Sequence, residues 1–442
     1  MASNVPSPLP RIVQLANTIS ESVTKMQAAL SAKGIPSPTF DEGYKLDLPL
    51  ELTHDHDAVL DATAELHDLM LEPLNLIHRH GGHNNSLCLQ AIAEFNMADM
   101  VPPDGQVSFG EIASQTPLTE GMTARLLRHA MTMRVFREPV PGMVAHTAAS
   151  RTLHRSAAND WLQAGTKEMW PAAVKMVDAL REWPASEEPN ETGYFLSNDR
   201  SGTIYEAFAQ DTARAERWAK GMAVFSERPQ FSLSYVTDYY DWAALGPEAQ
   251  VVDVGGSQGH VSMALATRFP NLRTVVQDME SVVDKATAAA DQQEEELRLG
   301  DRCSFMAHDL FAPQPVKGAD VYFLRWVLHN WSDKYCLLIL RALVPALRPG
   351  ARVLIQESLM PEPGAIAIWK EKNLRATDLN MAAAFNSQER TVAEFESLMR
   401  QADPGFDLRR VIEPVGSALG MLEFVWQGSA EEDGGPGEKN VQ

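Results

Sequence analysis

Apolar positions recur at helical spacing through the first half of the chain and gather into short unbroken runs in the second. Residues 11–33 keep a helical period that stops at Gly34-Ile35-Pro36. Residues 60–78 predict a second helix, with Leu66, Leu69, Met70, Leu74 and Ile77 on or near one face. From Ser86 the order is helix (87–97), turn (Pro102-Pro103-Asp104-Gly105), helix (109–114), turn at Pro117, helix (120–133), then the short stretch 135–140. That order predicts a winged helix-turn-helix. Residues 152–182 and 203–226 are further helices, and the Pro- and Glu-rich segment Trp183–Asn190 between them reads as a loop.

The period changes near Tyr235. Apolar runs at 251–254, 274–277, 303–307, 321–324, 352–357 and 422–426 alternate with helical segments. Such alternation predicts an α/β fold with a mostly parallel sheet covered on both faces.

Charge narrows the choice of partners. A formal net charge of −21 disfavours nucleic acid and anionic membranes, which need local excess of Lys and Arg. DNA binding through Arg125, Arg128 and Arg134 is therefore the weaker reading of the winged helix; a structural or dimerising use is expected. No run approaches a membrane span, and the N-terminus lacks a basic and apolar leader. The three cysteines, Cys88, Cys303 and Cys336, lack metal-ligand spacing, so no metal is expected and a reduced, cytoplasmic setting fits.

The stretch Val251-Val252-Asp253-Val254-Gly255-Gly256-Ser257-Gln258-Gly259-His260 joins an apolar strand to a helix through a glycine-rich turn. Glycines serve ligand-free turns too. A dinucleotide fingerprint wants Gly at its first, third and sixth positions, and counting from Gly255 this chain offers Ser257 and His260 at the last two. NAD is thus excluded on spacing. Asp278 ends the next apolar run, where a carboxylate is placed to hold ribose hydroxyls. His329 follows the run 321–324 and so lies at the same sheet edge, flanked by Trp326 and Trp331. A lone histidine is more often structural than catalytic, and the tryptophans also suit a core.

Four motifs in order make the pattern specific: Asp253–Gly259, His308-Asp309-Leu310-Phe311, Leu324–Asp333 and Gln388-Glu389-Arg390-Thr391. From about Leu87 to Trp426 the chain resembles the plant- and fungal-type class I small-molecule O-methyltransferases, the caffeate and flavonoid group. The resemblance implies a Rossmann-like methyltransferase domain with a mostly parallel seven-stranded sheet, preceded by an α-helical winged-helix dimerisation domain. It implies S-adenosyl-L-methionine as cofactor, a small aromatic acceptor and a homodimer. The boundaries expected are a helical extension at 1–80, the winged helix at 81–150 and a helical connecting segment lining the acceptor pocket at 151–234. The cofactor-binding domain follows at 235–428, then a disordered acidic tail at 429–442.

Carried over by position, the resemblance gives Gly255 and Asp278 to the cofactor's backbone and ribose, Asp309 and Leu310 to its adenine, and Arg325 to its neighbourhood, with Asp253, Gly256 and Gly259 completing the cofactor-binding set. His329 matches the general base, and Glu357 and Glu389 the two acids flanking it. A surface or helix-terminal acid is the alternative reading of both. Phe208, Met222, Phe225, Trp326, Met381 and Asn386 are expected to line the acceptor pocket. Ser257-Gln258 and Gln388 depart from the usual residues, and the 381–386 segment is short and alanine-rich.

Two rivals share these features. One is a cofactor-bound pericyclase of the same fold, and retention of His329 with both acids argues against it. A winged-helix regulator sensing the cofactor conflicts with the acidic charge.

Overall fold

The computed structural model describes residues 9–297 and 300–428. The expected tail at 429–442 lies outside them. Two compact units share the chain: the first takes residues up to Val177, with Gly193–Glu227 and Pro363–Ala376, and the second takes Asp178–Thr192, Arg228–Glu362 and the residues from Thr377 on.

In the first unit, helix Arg11–Ala32 packs on Thr53–Leu69. The single helix expected at 60–78 is instead two, Thr53–Leu69 and Pro73–His80. Pro73 cannot continue the preceding helix, and Glu72 caps the new one by accepting from Leu74 and Asn75 amides at 3.0 and 3.1 Å. Leu69, Met70, Leu74 and Ile77 are exposed, so that apolar face is not core. The winged helix is present: helices His83–Glu94, Phe109–Ala113 and Glu120–Thr132 bury Ile92, Ile112 and Leu127 in one cluster. Strands β1 (Val107–Ser108) and β2 (Met143–Val144) pair antiparallel as its wing. Arg128 is committed to Glu138 through two bonds of 2.9 and 2.8 Å.

The second unit is built on seven strands: β3 (Ala249–Val254), β4 (Leu272–Asp278), β5 (Cys303–Ala307), β6 (Val321–Arg325), β7 (Arg352–Glu357), β8 (Phe406–Ile412) and β9 (Gly420–Trp426). Their order is β5-β4-β3-β6-β7-β9-β8, parallel from β5 to β7 and antiparallel at β9 and β8. The central strands are apolar throughout because both faces are covered. Val252, Val254, Tyr322 and Leu324 point into one buried cluster, and Val251, Val321 and Phe323 into the other. Strand β8 was not expected from the run pattern. It is an edge strand carrying Asp407, Arg409 and Arg410, with a register shift between Leu408 and Arg410.

The chain leaves β3 for β4 on one side and returns to β6 on the other, so the connections diverge at the carboxyl end of β3. That is where ligands bind in open α/β sheets. Among the described residues no helix is long and apolar enough to cross a membrane.

Candidate active site

The loop after β3 is built against the end of β4. Gly255 and Gly256 donate their amides to Gln277 O at 2.8 and 3.0 Å, and Ser257 N donates to Asp278 Oδ2 at 2.9 Å. Met279 N donates to the other Asp278 oxygen at 2.8 Å, so that carboxylate is fixed in orientation. Burial raises its pKa. Glycine is required at 256, where a Cβ would stand 2.6 Å from Asp253 Cγ. Asp253 itself is buried and accepts from Ser262 Oγ at 2.7 Å. Burial pushes its carboxyl up to about 6. It therefore supports the loop from within rather than standing at its open face.

Gly259, at φ +74, opens helix His260–Arg268. Asp309 is exposed and its Oδ1 accepts from Phe311 N at 3.0 Å, while Leu310 packs on the core. Arg325, at the end of β6, donates from Nη2 to Phe231 O at 3.0 Å; its buried Nη1 has no partner among the described residues. Burial lowers its pKa to about 10.

Past Arg325 the backbone turns sharply, with Trp326 at φ 54, and a short 3-10 turn Leu328–Asn330 carries the histidine. His329 Nδ1 lies 3.0 Å from Glu389 Oε1. An ionised carboxylate only accepts, so Nδ1 donates and the lone pair stands on Nε2. Glu357, fully buried at the end of β7, receives the amides of Val327, Leu328 and His329 on Oε1 at 2.9, 2.9 and 3.4 Å. A ring nitrogen of His329 and one carboxylate oxygen each of Glu357 and Glu389 all lie within 4.8 Å of one another. Glu357 Oε2 and Glu389 Oε2 are buried without a partner among the described residues.

Burial alone would lower the imidazole pKa, but the facing Glu357 and Glu389 outweigh it and the net shift is upward. Burial pushes the Glu357 carboxyl up to about 7, with His329 drawing it down and Glu389 adding to the rise. The arrangement can accept a proton at Nε2 and stabilise the resulting imidazolium.

Arg390 had a place in a motif but no assigned role. It is 1% exposed, and its guanidinium holds Leu328 O at 3.0 Å, Trp331 O at 2.8 Å and Asp333 Oδ1 at 2.7 and 2.9 Å. Ser387 Oγ donates to His329 O at 2.6 Å. The histidine turn is thus gripped at its amides by Glu357 and at its carbonyls by Arg390 and Ser387. A buried arginine with its fork filled could be suspected from the sequence only by its adjacency to Glu389.

The residues expected at the acceptor pocket divide between the units. Trp326, Met381 and Asn386 belong to the second, where Trp326 meets Phe231 edge-on at 5.0 Å and Met381 is buried. Phe208, Met222 and Phe225 are half-buried in the first, where Phe208 rests on Trp218 at 5.3 Å. The Asn386 amide nitrogen donates to the main chain, to Ser186 O at 2.8 Å and Glu188 O at 3.3 Å.

Residues 180–407 match the O-methyltransferase domain, and residues 78–156 match the O-methyltransferase dimerisation domain. The chain belongs to the S-adenosylmethionine-dependent O-methyltransferase family. O-methyltransferase PaMT of Phomopsis amygdali is 43% identical over 419 residues, covering 94% of this chain and 96% of that protein. A chlorophenol O-methyltransferase of Trichoderma longibrachiatum is 36% identical, covering 94% and 90%. Among solved structures, OxaC superposes with a TM-score of 0.76 at 21% identity, covering 94% of this chain and 100% of that one, and a pericyclic reaction enzyme with 0.72 at 22%, covering 93% and 100%. These two likenesses are of fold.

The site fits the family's cofactor. Its loop needs glycine at 256, the Asp278 carboxylate is oriented by two amides, and Arg325 Nη1, without a partner among the described residues, is a donor at the same edge.

Proposed function

We propose that this O-methyltransferase methylates a hydroxyl of a small aromatic secondary metabolite, polyketide or phenolic, with His329 as general base. The observation carrying this reading is the 3.0 Å contact between His329 Nδ1 and Glu389 Oε1 at the sheet edge that bears the glycine loop. The name of the chlorophenol enzyme supports an aromatic acceptor, and that of a 36%-identical grayanic acid biosynthesis cluster O-methyltransferase of Cladonia grayi supports a secondary-metabolite setting.

Bound S-adenosylmethionine supplies an electrophilic methyl on a sulfonium sulfur. Asp278 would hold the cofactor's ribose hydroxyls, the loop 255–259 would lie against its chain, and Asp309 with Leu310 would bracket its adenine. Trp326 and Met381 offer apolar surface to the acceptor ring. A phenol of pKa about 10 is a weak nucleophile, and His329 Nε2 takes its proton as the new bond forms. Glu389 orients the imidazole and stabilises its cation; Glu357 holds the turn by its amides. The dimerisation domain supports a homodimer.

Incubation with the cofactor and a panel of polyphenols and polyketides should give products heavier by one methylene, and size-exclusion with light scattering a dimer. Conversion of the natural substrate to an isomer of unchanged mass would overturn methyl transfer in favour of the pericyclase.

A further inference from the structure

The segment 183–190, read as a loop from its prolines and acids, is tied to both strands of chain that carry the proposed base and its acid. On the histidine side, Ser332 Oγ donates to Glu187 O at 2.9 Å and Lys334 N to Glu187 Oε1 at 3.0 Å. Helix Asp333–Leu343 has no cap from its own Ser332, so the Glu187 carboxylate serves as the cap from outside. Tyr335 OH donates to Glu188 Oε2 at 2.8 Å, and Lys334 Nζ pairs with Glu188. On the glutamate side, Asn386 donates its amide to the Ser186 and Glu188 carbonyls.

Asn386 ends helix Ile368–Phe385 with φ 57, a left-handed corner that asparagine tolerates better than most side chains. The chain turns there into Ser387 and Glu389. One residue therefore makes the corner and bonds it to the loop. Arg390 and Ser387 grip the histidine turn directly, while residues 186–188 tie the segment after it to the corner at Asn386.

We propose that Glu187 and Asn386 are positioning residues that, through the strap 186–188, hold His329 and Glu389 at the spacing proton transfer requires. The proposal rests on His329 being the base. A misplacement of about 1 Å at a reacting centre costs up to about 100-fold in rate, so modest slack here is visible in turnover.

The test compares Asn386→Gly, which keeps the corner and removes the donors, with Glu187→Ala at an exposed position, and with His329→Ala. For both strap variants we expect kcat to fall about tenfold, within that range, with the affinity for S-adenosylhomocysteine unchanged by calorimetry. We also expect the acid limb of the kcat–pH profile to move to lower pH, because an imidazole held less firmly by Glu389 loses part of its upward shift. Asn386→Gly tests the corner, and Glu187→Ala carries the test alone if that variant does not fold. Wild-type turnover and pH profile in Glu187→Ala would overturn the proposal, as would a loss of kcat with the profile unmoved, the mark of a merely structural role. An active His329→Ala would instead remove the base assignment and the proposal with it, whatever the strap variants do.

Discussion

Glu168 in the first unit and the Glu357–Glu389 pair in the second are buried acids of opposite character. Glu168, 2% exposed on the π-turn Gly165–Met169, gives both oxygens to Arg214, with Nε at 2.8 Å, and Arg217 stands 3.7 Å away. Glu423 is saturated in the same way by Tyr240 OH at 2.7 Å, Arg410 at 2.7 Å and Arg352 at 3.2 Å. Among the described residues the Glu357–Glu389 pair has no guanidinium on its oxygens, and each acid keeps one buried oxygen without a partner. An acid closed by guanidinium groups fixes the elements that carry them, helices around Glu168 and strands around Glu423, whereas acids left with spare acceptors around an imidazole can share a proton.

The sharpest way to break this contrast is at the histidine. His329→Ala should lower turnover by roughly 10²–10⁴ in single-turnover methyl transfer while cofactor-product affinity stays within a few-fold; full activity would place the chemistry elsewhere. Glu168→Ala should act on folding instead. Stranding Arg214 and Arg217 should cost about 3 kcal/mol in urea unfolding, and a neutral result would remove the distinction drawn above.

Glu357→Gln separates the two kinds of acid by pH. The folded carboxyl at about 7 binds its proton more tightly than the ordinary 4.5, so its contribution to stability is present at low pH and lost as pH rises through 7. Glutamine has no such loss. The variant should therefore gain on the wild type by roughly 2–3 kcal/mol between about pH 5 and pH 8, read from urea midpoints; a constant difference would refute the shift. The smallest effect is expected at the exposed i,i+4 pair Arg400–Glu396, where Arg400→Ala should cost less than about 0.5 kcal/mol.

Much of the site was legible because its residues sit where local pattern changes. Apolar runs end at Val254, Asp278, Arg325 and Glu357, which are strand ends at one sheet edge, and a run is continuous only where both faces are buried. Strand β8 escaped because an edge strand alternates with Asp407, Arg409 and Arg410 and so has no run to read. The break at Pro73 was legible in principle, since proline marks a helix start. Asp253 could not be told from a ligand-facing acid, because its bond to Ser262 and its burial are tertiary facts. The grip of Arg390 and the ties of Glu187 and Asn386 join residues far apart in the chain, and composition carries no trace of them.

Strand β9 lies between β7 and β8 although it follows both in sequence. During synthesis β7 therefore waits with one row of main-chain groups unpaired, and Val353, Leu354 and Ile355 beside it, until residues 420–426 have left the ribosome. Gly420 pairs with Glu357 itself. The acid beneath the histidine turn is consequently enclosed by the final strand of the sheet, so the site proposed for proton transfer is completed only after nearly all of the fold has been translated.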